Sequence, residues 1–103
     1  MILTSKQKSQ ISEKKAAKLY RGKTQIASGA ISHSKGDVKT ARYLIEDKIT
    51  DKQSYSVTRK VWNKIAKESL QVGKQPLLRV TISGKTLIVC DEVLFLTLAD
   101  NEL

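Results

Sequence analysis

The chain is 103 residues long and carries 19 Lys+Arg against 10 Asp+Glu, a formal charge of +9 at pH 7. That length allows one domain, residues 1 to 103, and with 40% hydrophobic residues a single modest core, which excludes disorder along the whole chain. The single cysteine, Cys90, excludes an intramolecular disulfide and a cysteine-based zinc site, and the lone His33 removes most other soft-metal arrangements.

The apolar start, Met1 to Leu3, is too short for a signal-peptide core, and no stretch approaches the length of a membrane span. A soluble protein of a reducing, cytoplasmic compartment is expected. Residues 5 to 21 read as a helix, with Thr4 or Ser5 as its cap, Ile11, Ala16, Ala17, Leu19 and Tyr20 as its apolar positions and Gly22 as its stop. Lys23 to Gly36 is small, polar and Gly-containing, which suggests a short strand and a loop. DVKT and RYLIEDKIT then read as two strands with a tight connection near Ala41.

Residues 54 to 73 give the clearest helical pattern. Val57, Val61, Trp62, Ile65, Ala66, Ser69 and Leu70 form one stripe, Ser54 or Ser56 can cap the start, and Gly73 with Pro76 ends it. LLRVTI and KTLIVC follow as a hairpin turning at Ser83-Gly84. The last segment, 91–103, is acidic and apolar, and its run from Val93 to Leu96 permits a short helix or an extended tail. The order α-β-β-β-α-β-β predicts an α/β fold, a sheet flanked by helices.

The charge is unevenly distributed. Residues 1 to 36 sum to +7, 37 to 75 to +4 and 76 to 103 to −2. A positive field over two thirds of a small domain points to a polyanionic partner, because neutralising phosphates releases counterions and drives binding without base readout. A membrane surface fits less well, since no strongly apolar helix face accompanies the charge.

Within this basic body the acids are few. Asp37 begins one strand, and Glu46 and Lys48 fall on one face of the next, because side chains alternate with period two. Two carboxylates on adjacent strands suit Mg²⁺, which takes oxygen ligands and completes its shell with water and substrate phosphate. A lysine two residues from a ligand can offset charge developing at the phosphate. An acid-x-Lys triplet alone is common in so lysine-rich a chain. Glu13-x-Lys15 and Asp37-x-Lys39 are two others, and only Glu46-x-Lys48 lies inside an alternating strand nine residues after an Asp.

The run ASGA, then KGD, then YLIEDKIT, a Tyr-led amphipathic helix and an apolar hairpin resembles the PD-(D/E)xK nuclease superfamily, and within it the archaeal and phage Holliday-junction resolvases. The likeness covers residues 10 to 90. Gly36 stands where the motif's name has proline, and the following helix offers Arg59, Lys60 and Asn63 where the family often presents a glutamine. The resemblance implies a restriction-endonuclease-like mixed sheet flanked by helices. It also implies catalytic roles for Asp37, Glu46, Lys48, Glu13 and Ser28, and a Mg²⁺ site, with Mn²⁺ as a substitute, built from Asp37, Glu46, Glu13 and the backbone carbonyl of Asp47.

The activity it implies is metal-dependent hydrolysis of DNA phosphodiesters, with paired nicks in a four-way junction that leave 5′-phosphates and 3′-hydroxyls. Backbone phosphates would be held by Lys14, Lys18, Arg21, Lys23, His33, Lys35, Lys39, Lys52, Arg59, Lys60 and Lys64. A two-fold homodimer would match the junction's symmetry, with apolar strand and tail residues at the interface. A phage-encoded chain would act in the host cytoplasm. The residues also admit another nuclease of the same fold, acting on linear or flapped DNA or in restriction, and a non-enzymatic basic nucleic-acid binder with incidental carboxylates.

Overall fold

The computed structural model describes residues 2–24 and 37–103. Its elements run α1 (Ser5–Leu19), β1 (Lys23–Thr24), β2 (Val38–Lys39), β3 (Tyr43–Thr50), α2 (Arg59–Gln71), β4 (Gln75–Ile82), β5 (Lys85–Val89) and α3 (Glu92–Leu98). The strands form one open sheet in the order β1-β2-β3-β4-β5. All neighbours are antiparallel except β3 and β4, which run parallel over eight residue pairs from Tyr43/Gln75 to Thr50/Ile82. The result is an α/β fold with a mixed five-stranded sheet and three helices. Among the described residues no helix is long and apolar enough to cross a membrane.

Local chemistry sets where the elements start and stop. Thr4 caps α1 through a reciprocal box: its hydroxyl accepts the Gln7 amide at 3.1 Å and the Gln7 side chain accepts the Thr4 amide at 2.9 Å. The second helix starts later than its apolar stripe predicts, because Thr58, and not Ser54 or Ser56, accepts the Val61 amide. Gly73 ends it in the left-handed region (φ 67°), and the Lys74 amide returns to the Ser69 carbonyl at 2.9 Å. Pro76, expected as part of that stop, lies inside β4. Ser83 and Gly84, with φ of 45° and 85°, make the two-residue turn between β4 and β5.

The sheet separates two apolar layers. On one face Ala16 of α1 packs with Val38, Ile45, Leu77 and Leu94. On the other, Leu44, Leu78 and Val80 are buried with Ile65 and Ser69 of α2. The tail resolves as a helix, capped by Asp91 accepting the Val93 amide at 2.8 Å, because Leu94 has a place in the first layer.

Expectations about apolar positions on the helices need correction. Ile11, Leu19 and Leu70 are exposed, as is Val57, and only the small residues Ser12 and Ala16 of α1 are buried. Small side chains let α1 lie close to the strands, so its larger apolar groups are held out at the flanks.

The chain leaving α1 also passes very close to β2. A Cβ on Gly22 would meet the Lys39 carbonyl oxygen and Val38 Cγ1 at 2.8 Å and Thr40 Cγ2 at 2.9 Å. Gly22→Ala is therefore expected to destabilise the fold by about 1–3 kcal/mol, read as a lower urea midpoint at unchanged slope. An unchanged midpoint would show that this crossing relaxes freely.

Candidate functional site

The site forms beside the described part of β2. Among the described residues, Leu44 and Ile45 of β3 have register partners on β2, and no described strand pairs with β3 from Glu46 onward on that side. Asp37 stands at this step. Its amide donates to the Ile45 carbonyl at 3.0 Å, and its carboxylate Oδ2 accepts the Asp47 amide at 2.7 Å. The Asp37 side chain thus supplies an acceptor to the edge of β3 at Asp47. A strand residue turns its N–H and C=O toward the same edge, so the Asp47 carbonyl lies on the Asp37 side of β3.

Alternation puts Glu46 and Lys48 on the α2 face of β3, with Lys48 Nζ 3.4 Å from Glu46 Oε1. Burial raises the Asp37 carboxyl to about pKa 7, and the neighbouring Glu46 and Glu13 carboxylates push the same way against the Asp47 amide and Lys48. Glu13, half-buried on α1, is raised by burial first and then by Asp47 and Glu46. Burial opposes the charge on Lys48, yet Glu46 and Asp37 outweigh it and raise its pKa. Lys48 is therefore a fixed cation beside two carboxylates, suited to stabilising negative charge and unsuited to accepting a proton.

The candidate residues thus meet unevenly. Asp37, Glu46, Lys48 and the Asp47 backbone share one site, and Glu13 faces it from α1. Among the described residues no three His, Cys, Asp or Glu side chains come together as a metal-holding group, so Glu13 does not complete a three-carboxylate set. The remaining donors still suit a hard dication. Two carboxylates of like charge, one with its pKa raised by burial and by its neighbour, gain from a cation between them, and Mg²⁺ needs no more than one or two carboxylates. Ser28, His33 and Lys35 lie outside the described residues. Of the other expected phosphate contacts, Lys14, Lys18, Arg21, Lys23, Lys52, Arg59, Lys60 and Lys64 are exposed and Lys39 is half-buried. Lys64 stands 3.8 Å from Glu68, one helical turn on.

Arg79 is the residue that pattern reading missed. It is only 4% exposed, and its Nη1 donates to Asp47 Oδ1 at 2.8 Å and to the Ser12 hydroxyl at 3.0 Å. The pair follows from the parallel register, which sets Asp47 beside Arg79 on the face under α1. A lone arginine at an inward position of LLRVTI was the available signal. The Asp47 side chain is therefore held away from the Glu46 face, and its Oδ2 is buried without a hydrogen-bond partner among the described residues.

No protein-family model, no curated protein and no solved structure matches this chain.

Two outcomes follow from this geometry. Arg79→Met should cost about 3–5 kcal/mol by leaving Asp47 buried and unpaired, and adding Asp47→Leu should recover much of that loss; urea denaturation of both variants checks it, and equal losses would mean the pair is not the cause. Asp37 is protonated more readily in the folded than in the unfolded chain, so between pH 3.8 and about 7 rising pH removes stability. Asp37→Asn, which keeps a carbonyl acceptor for the Asp47 amide, should raise stability at pH 8 by on the order of 2 kcal/mol without divalent ions. The gain should shrink to nothing near pH 4 in thermal melts.

Proposed function

We propose that the chain is a metal-dependent DNA endonuclease of the PD-(D/E)xK type, with a restriction-endonuclease-like fold and a four-way junction as its substrate. The observation that supports this most is the cluster at the end of β2. Asp37 and Glu46 are two carboxylates in a strongly basic chain, and Lys48 is held charged 3.4 Å from one of them. Clustered negative charge opposes phosphate binding unless a cation lies between, and such a cation is what metal-assisted hydrolysis of a phosphodiester uses.

Asp37, Glu46 and the Asp47 carbonyl would hold Mg²⁺, or Mn²⁺ in its place, with Glu13 next to them. The bound ion would supply Lewis-acid polarisation of the phosphodiester and a more acidic water. The protein's own contribution is positional and electrostatic. Lys48 orients the water for in-line attack and offsets the charge that develops on the phosphate. Asp37 fixes the edge of β3 through the Asp47 amide, so the carbonyl beside it keeps its direction. The exposed lysines and arginines of α1, the β1 region and α2 hold backbone phosphates, which position a duplex without reading its bases. Selection of a junction then comes from shape.

The test is cleavage of a four-way junction against its linear arms, with and without Mg²⁺. The wild type should nick the junction in a Mg²⁺-dependent way. Glu46→Ala and Asp37→Ala should lose at least 10²-fold in rate while binding DNA as tightly or more tightly, since a negative charge near phosphate is gone. Equal rates on junction and arms would remove the resolvase reading and leave a nuclease. DNA binding with no cutting in any form would leave only a basic binding protein.

A further inference from the structure

Among the described residues α1 lies over β1, β2 and β3, so the same face of the β4–β5 hairpin is left uncovered near its turn. A hollow of about 290 Å³ opens there, between α1 and the end of the hairpin. Helix and strand periodicity both aim side chains into it. Lys8, Ile11, Ser12 and Lys15 follow the i, i+3, i+4, i+7 spacing of one helix face, and Ile49, Arg79 and Thr81 share the sheet face that carries Asp47.

Arg79, only 4% exposed, lines this hollow with a guanidinium that is half used. Its Nη1 takes Asp47 and Ser12, while Nε and Nη2 have no hydrogen-bond partner among the described residues. Of the buried side-chain nitrogens and oxygens described, Asp47 Oδ2 alone is both closed to solvent and unpaired. Nε and Nη2 therefore still reach solvent. Together they form the side edge of the guanidinium, two parallel donors spaced for a carboxylate. Two more lining groups, the Thr81 and Thr86 hydroxyls, stand 2.9 Å apart. Their mutual bond uses one hydrogen and leaves the other to donate. The apolar part of the wall comes from Leu3, Ile11 and Ile49.

Size and charge select the occupant. About 290 Å³ holds roughly ten non-hydrogen atoms at ~30 Å³ each, the share of a water molecule in the liquid. The bases of the lining are Lys8, Lys15 and Arg79. Asp47 answers Arg79 and Asp51 answers Lys8, whereas Lys15 has no ion-pair partner among the described residues. One positive charge is left over. A monoanion balances it, and a phosphate monoester, at about −1.5 to −2 near neutral pH, exceeds it.

We infer that this hollow is a binding site for a small monocarboxylate with an apolar body, its carboxylate on the Nε–Nη2 edge of Arg79 and its body against Leu3, Ile11 and Ile49. The hollow lies under α1, whereas Glu46 and Lys48 face α2, so it holds whether or not the site at Asp37 cuts DNA.

Benzoate is the probe. Titrated into the full chain at about pH 7.5 without divalent ions, it should saturate with a Kd of about 1 mM or below. Amide NMR shifts should centre on Ser12, Thr81 and Thr86. Benzamide, its neutral isostere, should bind at least about tenfold more weakly, and phenyl phosphate no more tightly than benzoate. Ile11→Glu, at a position 53% exposed, should fold by circular dichroism and weaken benzoate at least about tenfold by placing an acid on the wall. Thr86→Val should weaken it by about 2- to 10-fold through the lost hydroxyl. Lys67→Glu, a larger change of charge on α2, should leave the Kd within about twofold because salt screens distant charges. No saturable binding, shifts centred elsewhere, or benzamide as tight as benzoate would overturn the site. Equal losses in Ile11→Glu and Lys67→Glu would reduce it to the general attraction of a basic chain for anions. Phenyl phosphate tighter than benzoate would overturn the choice of a monocarboxylate.

Discussion

The contact between Asp47 and Arg79 under the first helix holds the sheet and the site in one frame. A guanidinium and a carboxylate that are both almost fully buried are costly to remove from water, and the cost is tolerable only where the pair is well aligned and further hydrogen-bonded. Here the alignment comes from the parallel register of β3 and β4, and the extra bond comes from Ser12 on α1. A one-residue slip of β3 would turn Asp47 to the wrong face and leave Arg79 unpaired. The pair therefore specifies register and helix placement together. It also fixes the opposite set of side chains, because with Asp47 turned toward α1 its neighbours Glu46 and Lys48 must face α2.

That division of labour along one strand explains how a small chain carries a buried ion pair and an acidic site within three residues. The side chain of Asp47 belongs to the fold, while its amide and carbonyl belong to the edge where Asp37 sits. Asp37 meets the Asp47 amide with a carboxylate, which puts a charged acceptor on a strand edge. Burial and the Glu46 charge then raise the pKa of that carboxylate, and Lys48 is a single cation beside two acids.

The two ends of the sheet have opposite electrostatic character. At the β2–β3 end acids are gathered inside a basic surround, which suits a phosphate approached through a cation. At the β5–α3 end Leu87, Ile88, Val93, Phe95 and Leu96 are exposed and acids outnumber bases.

Much of this was legible in the residues. The alternating run YLIEDKIT gave a strand with Glu46 and Lys48 on one face, Ser83-Gly84 gave a hairpin, and Thr4 gave a helix start, because each depends on chemistry within a few residues. The unequal distribution of charge was legible too. The sequence could not decide which of its apolar groups would be buried, since Ile11, Leu19 and Leu70 have helical spacing yet face solvent, and it left the tail open until Leu94 found a place in the core. Nor could it pair Asp47 with Arg79, 32 residues apart, or carry the Asp37 carboxylate to the Asp47 amide. Alternation decides only that two side chains share a face. Which strand lies alongside, in which direction and in which register, is set by packing of the whole sheet, and that tertiary choice brought the Asp37 carboxylate beside the Glu46-x-Lys48 triplet.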